Sequence, residues 1–257
     1  MDHHLLLKGK RVLVTGAGAN IGRATALEMA EQGARVFFTD VDDGAVKRLE
    51  HRLKGLNGGK GFVSDITDTG STDRLVHALI EEHGGIDILV NNVGIPSTTV
   101  ALNGLNLAEW HRIFQTNLFG PMYLTKLVGD LMVSRKISGS IIFMSSVHQW
   151  TVRRYPAYSA TKGAIGMVVK ELALDLAKYG IRVNAVAPGY VLGDDETAPA
   201  AHHFTPLHHT SIPASYVGRA VVYLASDFFS HFTTGTVLKV DAGLSLHNHL
   251  VDEIPID

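Results

Sequence analysis

The sequence predicts an α/β fold: a single domain holding a doubly wound, seven-stranded parallel sheet flanked by helices. Three observations carry that expectation. Short runs rich in β-branched residues alternate with longer helical patterns. The short runs are apolar throughout rather than alternating, as strands covered on both faces are. No proline- or serine-rich linker, low-complexity tract or repeat of solenoid length divides the 257 residues, so one domain over 1–257 is expected.

Taken in order, residues 11–14 read as a first strand, 16–22 as a turn and 23–31 as a helix. A second strand at 34–39 ends at Asp40. Residues 61–63 make a weaker third strand, 86–90 a fourth, 140–144 a fifth, 181–186 a sixth and 236–240 a seventh. Helical patterns fill the gaps, most plainly near 108–134 and 157–179. Repeated strand–helix units close into one parallel sheet, because parallel neighbours need a crossover that covers a face. The stretch 190–213 breaks the pattern with three acids, three prolines and four histidines, and reads as a substrate loop. Residues 244–257 read as a tail long enough to reach a neighbouring subunit.

Composition removes several classes of function. A formal net charge of −2 lacks the basic surplus of a general nucleic-acid binder. The absence of cysteine excludes a disulfide framework, a thiolate nucleophile and a Cys-based zinc site. Leu5-Leu6-Leu7 is too short an apolar run for a signal peptide, and no run approaches a membrane span. The expectation is a soluble, cytoplasmic protein with neither nucleic acid nor membrane as partner. His202-His203 and His208-His209 invite a metal reading. Adjacent histidines point in different directions, however, and no acid stands at metal-site spacing, so no metal is expected.

Chemistry enters at Thr15-Gly16-Ala17-Gly18-Ala19-Asn20-Ile21-Gly22, between a predicted strand and a predicted helix. Glycine lets the main chain approach a pyrophosphate, and the helix N-terminus offers free N–H groups and partial positive charge. An ordinary tight turn would look similar. Asp40 follows Gly22 by 18 residues, near the spacing of the acid that binds the ribose hydroxyls of a dinucleotide. A carboxylate there favours NAD, because it repels the 2′-phosphate of NADP.

Tyr158-Ser159-Ala160-Thr161-Lys162 opens a predicted helix, and the spacing of four puts both ends on one face. A phenol titrates near 10 on its own, and a nearby ammonium lowers that value. The phenol can then take a proton from an alcohol or give one to a carbonyl. The spacing alone is common among half-buried rings and solvated lysines. Its setting matters: Ser145 and Ser146 end the strand just upstream, where strand C-termini of parallel sheets face ligands.

Together these residues resemble the short-chain dehydrogenase/reductase family, over roughly Lys10 to Gly243. The landmarks stand in order: Thr15-Gly16 to Ile21-Gly22, Asp65, Asn91-Asn92-Val93-Gly94, Asn117, Ser146, Tyr158 with Lys162, and Pro188-Gly189. The resemblance implies a Rossmann fold, a nicotinamide cofactor and a homotetramer. It implies that Gly16, Asn20, Ile21 and Gly22 cradle the phosphates, and that Asp65 and Ile66 flank the adenine. Asn92, Val93 and Gly94 would pass beside the ribose. Pro188, Gly189 and Val191 would border the nicotinamide, the Val191 main chain meeting its carboxamide. Asn117 would hold a water linking Lys162 to solvent, Lys162 would also touch the ribose, and Ser146 would orient the substrate oxygen.

The sequence departs from the family pattern in four places. Asn20 replaces a common third glycine, and asparagine tolerates left-handed backbone angles. The Ser146–Tyr158 interval is one residue short. Ser145 would restore it, but Ser146 matches the Ser-Ser-Val phrase and is the preferred catalytic serine. Leu192-Gly193-Asp194 stands where a cofactor-binding threonine is frequent, and Ala242 replaces a usual glycine. Ser145-Ser146-Val147-His148 resembles the sugar-dehydrogenase branch. His148, Trp150, Tyr155 and Tyr190 are then candidate substrate contacts beside Ser146. The expected activity is NAD-linked oxidation of a secondary alcohol, sugar or cyclic polyol, or reduction of the matching carbonyl. A non-catalytic dinucleotide sensor and an NADP-dependent acyl-carrier ketoreductase are the alternatives.

Overall fold

Successive side chains of a strand point to opposite faces, so a strand apolar along its whole length must be covered on both. The computed structural model, which describes residues 5–98, 104–193 and 205–246, shows this arrangement. In β1 (Arg11–Thr15), Val12 and Val14 enter one core and Leu13 the other. In β2 (Arg35–Asp40), Val36 and Phe38 enter the first and Phe37 the second. β4 (Ile88–Asn91) and β5 (Ser140–Met144) divide in the same way, with Val90 and Ile142 opposite Leu89 and Ile141. The two cores are the two layers between the sheet and its helices. Helices α1 (Asn20–Glu31), α2 (Asp43–Leu53) and α7 (Ala214–Ala225) cover one face. On the other lie α3 (Thr69–His83), α5 (Gly120–Ser134) and α6 (Pro156–Leu176).

With β3 (Gly59–Val63), β6 (Arg182–Pro188) and β7 (Val237–Val240), the sheet has the order β3-β2-β1-β4-β5-β6-β7, every pair parallel. The order reverses between β1 and β4. Chain leaving the C-terminal ends of those two strands diverges to opposite faces, and a crevice opens there.

Two helical expectations change in detail. The pattern near 108–134 reads as one helix. The structure divides it into α4 (Leu107–Phe114) and α5, joined by a wide π turn at Gln115–Phe119. Apolar periodicity runs on across such a turn and so does not reveal it. The first helix begins at Asn20, three residues before the expected start, because the turn closes directly into it. Of the expected substrate loop at 190–213, residues 194–204 lie outside the described residues, as does 247–257 of the expected tail. No helix among the described residues is long and apolar enough to cross a membrane.

A buried arginine fastens the far edge of the sheet. Arg182, at the start of β6, donates to the carbonyls of Leu224 (2.6 Å) and Ala225 (3.0 Å), which end α7. It also meets Ser230 Oγ (2.9 Å) and the Asp227 carboxylate (3.3 Å), both in the short helix α8 (Asp227–Ser230). A helix C-terminus leaves carbonyls unpaired, and the guanidinium supplies their donors. Arg182→Ala is expected to lower the unfolding free energy by about 3 kcal/mol, measured by urea denaturation. A loss near zero would refute this role.

Candidate active site

The C-terminal ends of β1, β4, β5 and β6 open into a cleft of 790 Å³. Its floor begins at the turn after β1. Gly16 has φ +62°, the left-handed region, and a side chain there would press on Val93. Gly22, in the first turn of α1, lies so close to the Gly16 carbonyl that no Cβ fits between them. Asn20 also adopts φ +46°, the conformation a glycine takes readily and asparagine tolerates. Ala19, at the N-cap of α1, makes no side-chain cap, and a helix N-terminus is a favourable place for an anion.

Two polar side chains hold this turn from below. Asn92 Nδ2 donates to the carbonyls of Thr15 (2.9 Å) and Gly16 (3.0 Å). Thr15 Oγ1 accepts from the main-chain N–H groups of Asn92 (3.1 Å) and Val93 (3.2 Å). The side chain of Asn92 therefore belongs to the scaffold of the cleft. Asn91 points elsewhere and donates to Thr125 (2.8 Å). Thr15 went unassigned in the sequence; its one signal was its place at the end of a strand.

Asp40 lines the cleft at the end of β2. Its Oδ2 accepts the Gly18 N–H at 2.8 Å and its Oδ1 the Asp42 N–H at 3.1 Å. These bonds fix the carboxylate facing the cleft and leave each oxygen a further lone pair. The next residue, Val41, brings no cation. Every residue expected to touch the dinucleotide lines this same cleft, from Gly16 and Asp65 to Pro188 and Val191. Arg112, which the sequence did not single out, lines it too.

Ser146, Tyr158 and Lys162 meet at the other end. Lys162 is buried, and its ammonium donates to the main-chain oxygen of Met144 at 2.7 Å. It stands 5.4 Å from the centre of the Tyr158 ring. Burial pulls the Lys162 pKa down to about 8. Burial pushes the Tyr158 phenol above its ordinary value, and a hydrogen bond with the Ser146 hydroxyl offsets part of that rise. Ser145 turns away: its hydroxyl lies 3.0 Å from Gln149 Oε1 and 3.2 Å from the Lys162 carbonyl. Of the two serines, Ser146 is the one that reaches Tyr158.

Asn117 sits in the π turn, buried behind the cleft. Its Oδ1 accepts from Ile95 N–H (2.8 Å), and its Nδ2 donates to Ile95 O (3.0 Å).

The candidate substrate contacts are placed differently. His148 is half-buried, edge-on to the Tyr158 ring at 5.0 Å, with Nδ1 3.2 Å from Ser159 Oγ. Burial, with Arg153 and Lys162 nearby, lowers its pKa to about 4, so it is neutral at physiological pH. Trp150 is largely exposed, with Lys239 Nζ 4.5 Å above its ring. Tyr155 precedes α6, and Tyr190 leads into the 205–213 segment through its carbonyl, which accepts from Ile212 N–H. None of these four lines the main cleft. Among the described residues, no group of three or more His, Asp or Glu side chains is placed to hold a metal ion.

The left-handed turn, the uncapped helix end and the inward carboxylate fit a dinucleotide. Comparison with known proteins agrees. A family model described as enoyl-(acyl carrier protein) reductase matches residues 16–245. A glucose 1-dehydrogenase of Gluconobacter oxydans is 36% identical, over 93% of this chain and 93% of its own. A short-chain type dehydrogenase/reductase from Mycobacterium marinum superposes with a TM-score of 0.85 at 29% identity, over 94% of this chain and 97% of that one. A 7α-hydroxysteroid dehydrogenase, solved with NADH and 7-oxo glycochenodeoxycholic acid, gives a TM-score of 0.84 at 28% identity, over 93% and 96%.

The buried ammonium makes stability depend on pH. Lys162 titrates near 8 in the fold and near 10.5 when unfolded, so the unfolded chain holds more protons between those values. The burden is full below pH 8 and is relieved as pH rises toward 10.5. Lys162→Met is expected to raise stability at neutral pH by about 2 kcal/mol and to flatten that rise. Denaturation curves taken at several pH values check it; a variant less stable than wild type at neutral pH refutes it.

Proposed function

The chain belongs to the short-chain dehydrogenase/reductase family, and from that premise we propose that it transfers hydride between NAD and a secondary alcohol or its ketone. The carrying observation is the meeting of Ser146, Tyr158 and Lys162 at one end of a cleft whose other end presents Asp40. The bound nicotinamide dinucleotide supplies the hydride acceptor or donor. Gly16, Asn20, Ile21 and Gly22 hold its phosphates against α1, and Asp40 receives the adenosine ribose hydroxyls. Asp65 and Ile66 flank the adenine. Asn92, Val93 and Gly94 border the ribose through their main chain, while Pro188, Gly189 and Val191 wall the far end.

Tyr158 carries the proton. In oxidation the ionised phenol takes the hydroxyl proton of the alcohol, and in reduction the neutral phenol gives one to the carbonyl oxygen. Burial alone keeps the phenol protonated. The Ser146 hydrogen bond acts against burial, and in this reading the charges of Lys162 and of an oxidised nicotinamide favour the phenolate further. Ser146 also holds the substrate oxygen near the phenol. Asn117 seats the water that connects Lys162 to solvent.

A sugar or cyclic polyol is the favoured substrate class. The similarity to a glucose 1-dehydrogenase and the Ser145-Ser146-Val147-His148 run support it. His148, Trp150, Tyr155 and Tyr190 would form the outer wall, with the 190–213 segment as the substrate loop. The reading includes a homotetramer in the cytoplasm, with the 244–257 tail reaching a neighbour. A second reading, an NADP-dependent acyl-carrier ketoreductase, draws on the similarity to a 3-oxoacyl-[acyl-carrier-protein] reductase of Thermotoga maritima, 34% identical over 93% of this chain. Asp40 opposes it by like charge.

The test is the reduced-nicotinamide absorbance, near roughly 340 nm, with NAD and NADP against sugars, polyols and secondary alcohols. Turnover with NAD is expected, and Tyr158→Phe should lower kcat by about 10²-fold or more. Full activity in that variant would sink the proton-transfer role. Asp40→Ser should shift the NAD/NADP preference toward NADP by about tenfold or more. An unchanged ratio would remove Asp40 from cofactor selection.

A further inference from the structure

Ser145 and Gln149 have no part in binding or proton transfer as derived so far, yet both are held tightly beside the reacting pair. Ser145 is buried at the end of β5. Its single hydroxyl proton is shared between the Lys162 main-chain oxygen at 3.2 Å and Gln149 Oε1 at 3.0 Å. Gln149 belongs to the 3₁₀ turn Val147–Gln149 that follows Ser146. Its amide lies flat on α6 at Gly166, so close that a Cβ on that residue would overlap it. Gly166 is in the interior of α6 with no left-handed angle to require glycine. What it provides is a notch for Gln149.

These contacts join three pieces of chain. Lys162 donates through Nζ to Met144 and accepts through its carbonyl from Ser145, so two bonds tie one turn of α6 to consecutive residues of the β5 end. Gln149 ties the intervening 3₁₀ turn to the same helix. Ser146 stands between the two ties on one side, and Tyr158 stands one turn before Lys162 on the other. Ser146 itself caps the 3₁₀ turn, accepting the His148 N–H at 3.3 Å. The Ser146 carbonyl accepts the Gln149 N–H at 3.0 Å, and the preceding residue is tied to β6 through Ser145 N–H to Val186 O at 2.8 Å. The interval from Ser146 to Tyr158 is short, so the ties of Ser145 and Gln149 to α6 bear on the register between them.

We propose that Ser145, together with Gln149 seated in the notch at Gly166, is a positioning device that sets the Ser146–Tyr158 gap required for proton transfer. It rests on the reading of Tyr158 and Ser146 given above. A loosened device lets Ser146 drift from the phenol. The phenolate then loses a donor, and the substrate oxygen loses its second contact. The effect is on the reacting geometry and not on the dinucleotide end of the cleft.

Gly166→Ala is the decisive variant, because alanine is the better helix former and a purely structural role predicts no loss. It fills the notch and displaces Gln149. Gly166→Ala and Ser145→Ala are each expected to lower kcat about tenfold or more while leaving the KM for NAD and the melting temperature of Gly166→Ala essentially unchanged. In a Gln149→Ala background, Gly166→Ala is expected to add no further loss, since the side chain it would displace is gone. Tyrosinate absorbance, taken as the difference from Tyr158→Phe, should move the Tyr158 titration up by about one pH unit in both variants. Unchanged kcat and an unchanged titration in Ser145→Ala and Gly166→Ala would overturn the proposal, as would an undiminished effect of Gly166→Ala on Gln149→Ala. If wild type turns over nothing in the substrate panel, the oxidoreductase reading has failed. The phenol titration needs no substrate and still decides the positioning.

Discussion

The bond from the Lys162 ammonium to the Met144 carbonyl organises the reactive end of the molecule. A buried charge tolerates no vacancy among its partners, because an unpaired ammonium in that setting is costly. The lysine therefore pulls α6 onto the end of β5 and keeps it there. Tyr158 shares its helical face one turn earlier, and Ser146 leaves the strand two residues after the anchored carbonyl. The relative placement of three side chains thus follows from one contact between a side chain and a main chain. The same burial draws the lysine down toward 8, which makes the ammonium responsive to whatever charge the cleft receives.

At the other end of the cleft the constraint is steric. Gly16 and Gly22 approach each other so closely that the turn exists only without side chains there. Asn92 and Thr15 then hold the turn by hydrogen bonds from the end of β4 and of β1. The uncapped start of α1 is the counterpart of this arrangement. Where α2 is capped by the Asp42 side chain, α1 has alanine at that position and no side-chain cap. The topology places the two ends on either side of the point where the sheet order reverses, one at β1 and β2 and the other at β5.

Much of this was legible in the chain. The seven apolar runs gave seven strands, because a strand buried on both faces has no polar register to hide it. The weakest, 61–63, is short in apolar residues, and its real extent, Gly59–Val63, rests on pairing with β2 that no local pattern records. The helix near 108–134 read as continuous, since both flanks of the wide turn carry helical patterns and a shift of one residue between them is not evident by eye. The interval to Tyr158 left two serines open. Hydrogen bonding separates them: Ser146 reaches the phenol, while Ser145 is spent on Lys162 and Gln149. Asn92 lines the cleft as expected, and what the sequence did not show is that its side chain holds the glycine turn.

The sequence by itself determined the element order, the parallel sheet, the glycine turn before α1, the acid at the end of β2 and the Tyr158–Lys162 spacing. Each is a local property: periodicity, a steric demand on φ, or a fixed helical rise. The tertiary structure decided which serine meets the phenol, what anchors the lysine, and that Gln149 lies on Gly166. Those depend on main-chain carbonyls and on the approach of a strand end to a helix. Main-chain groups are the same in every residue and so leave no mark in the order of side chains. Only folding brings Met144, Ser145 and Lys162 within hydrogen-bonding distance of one another.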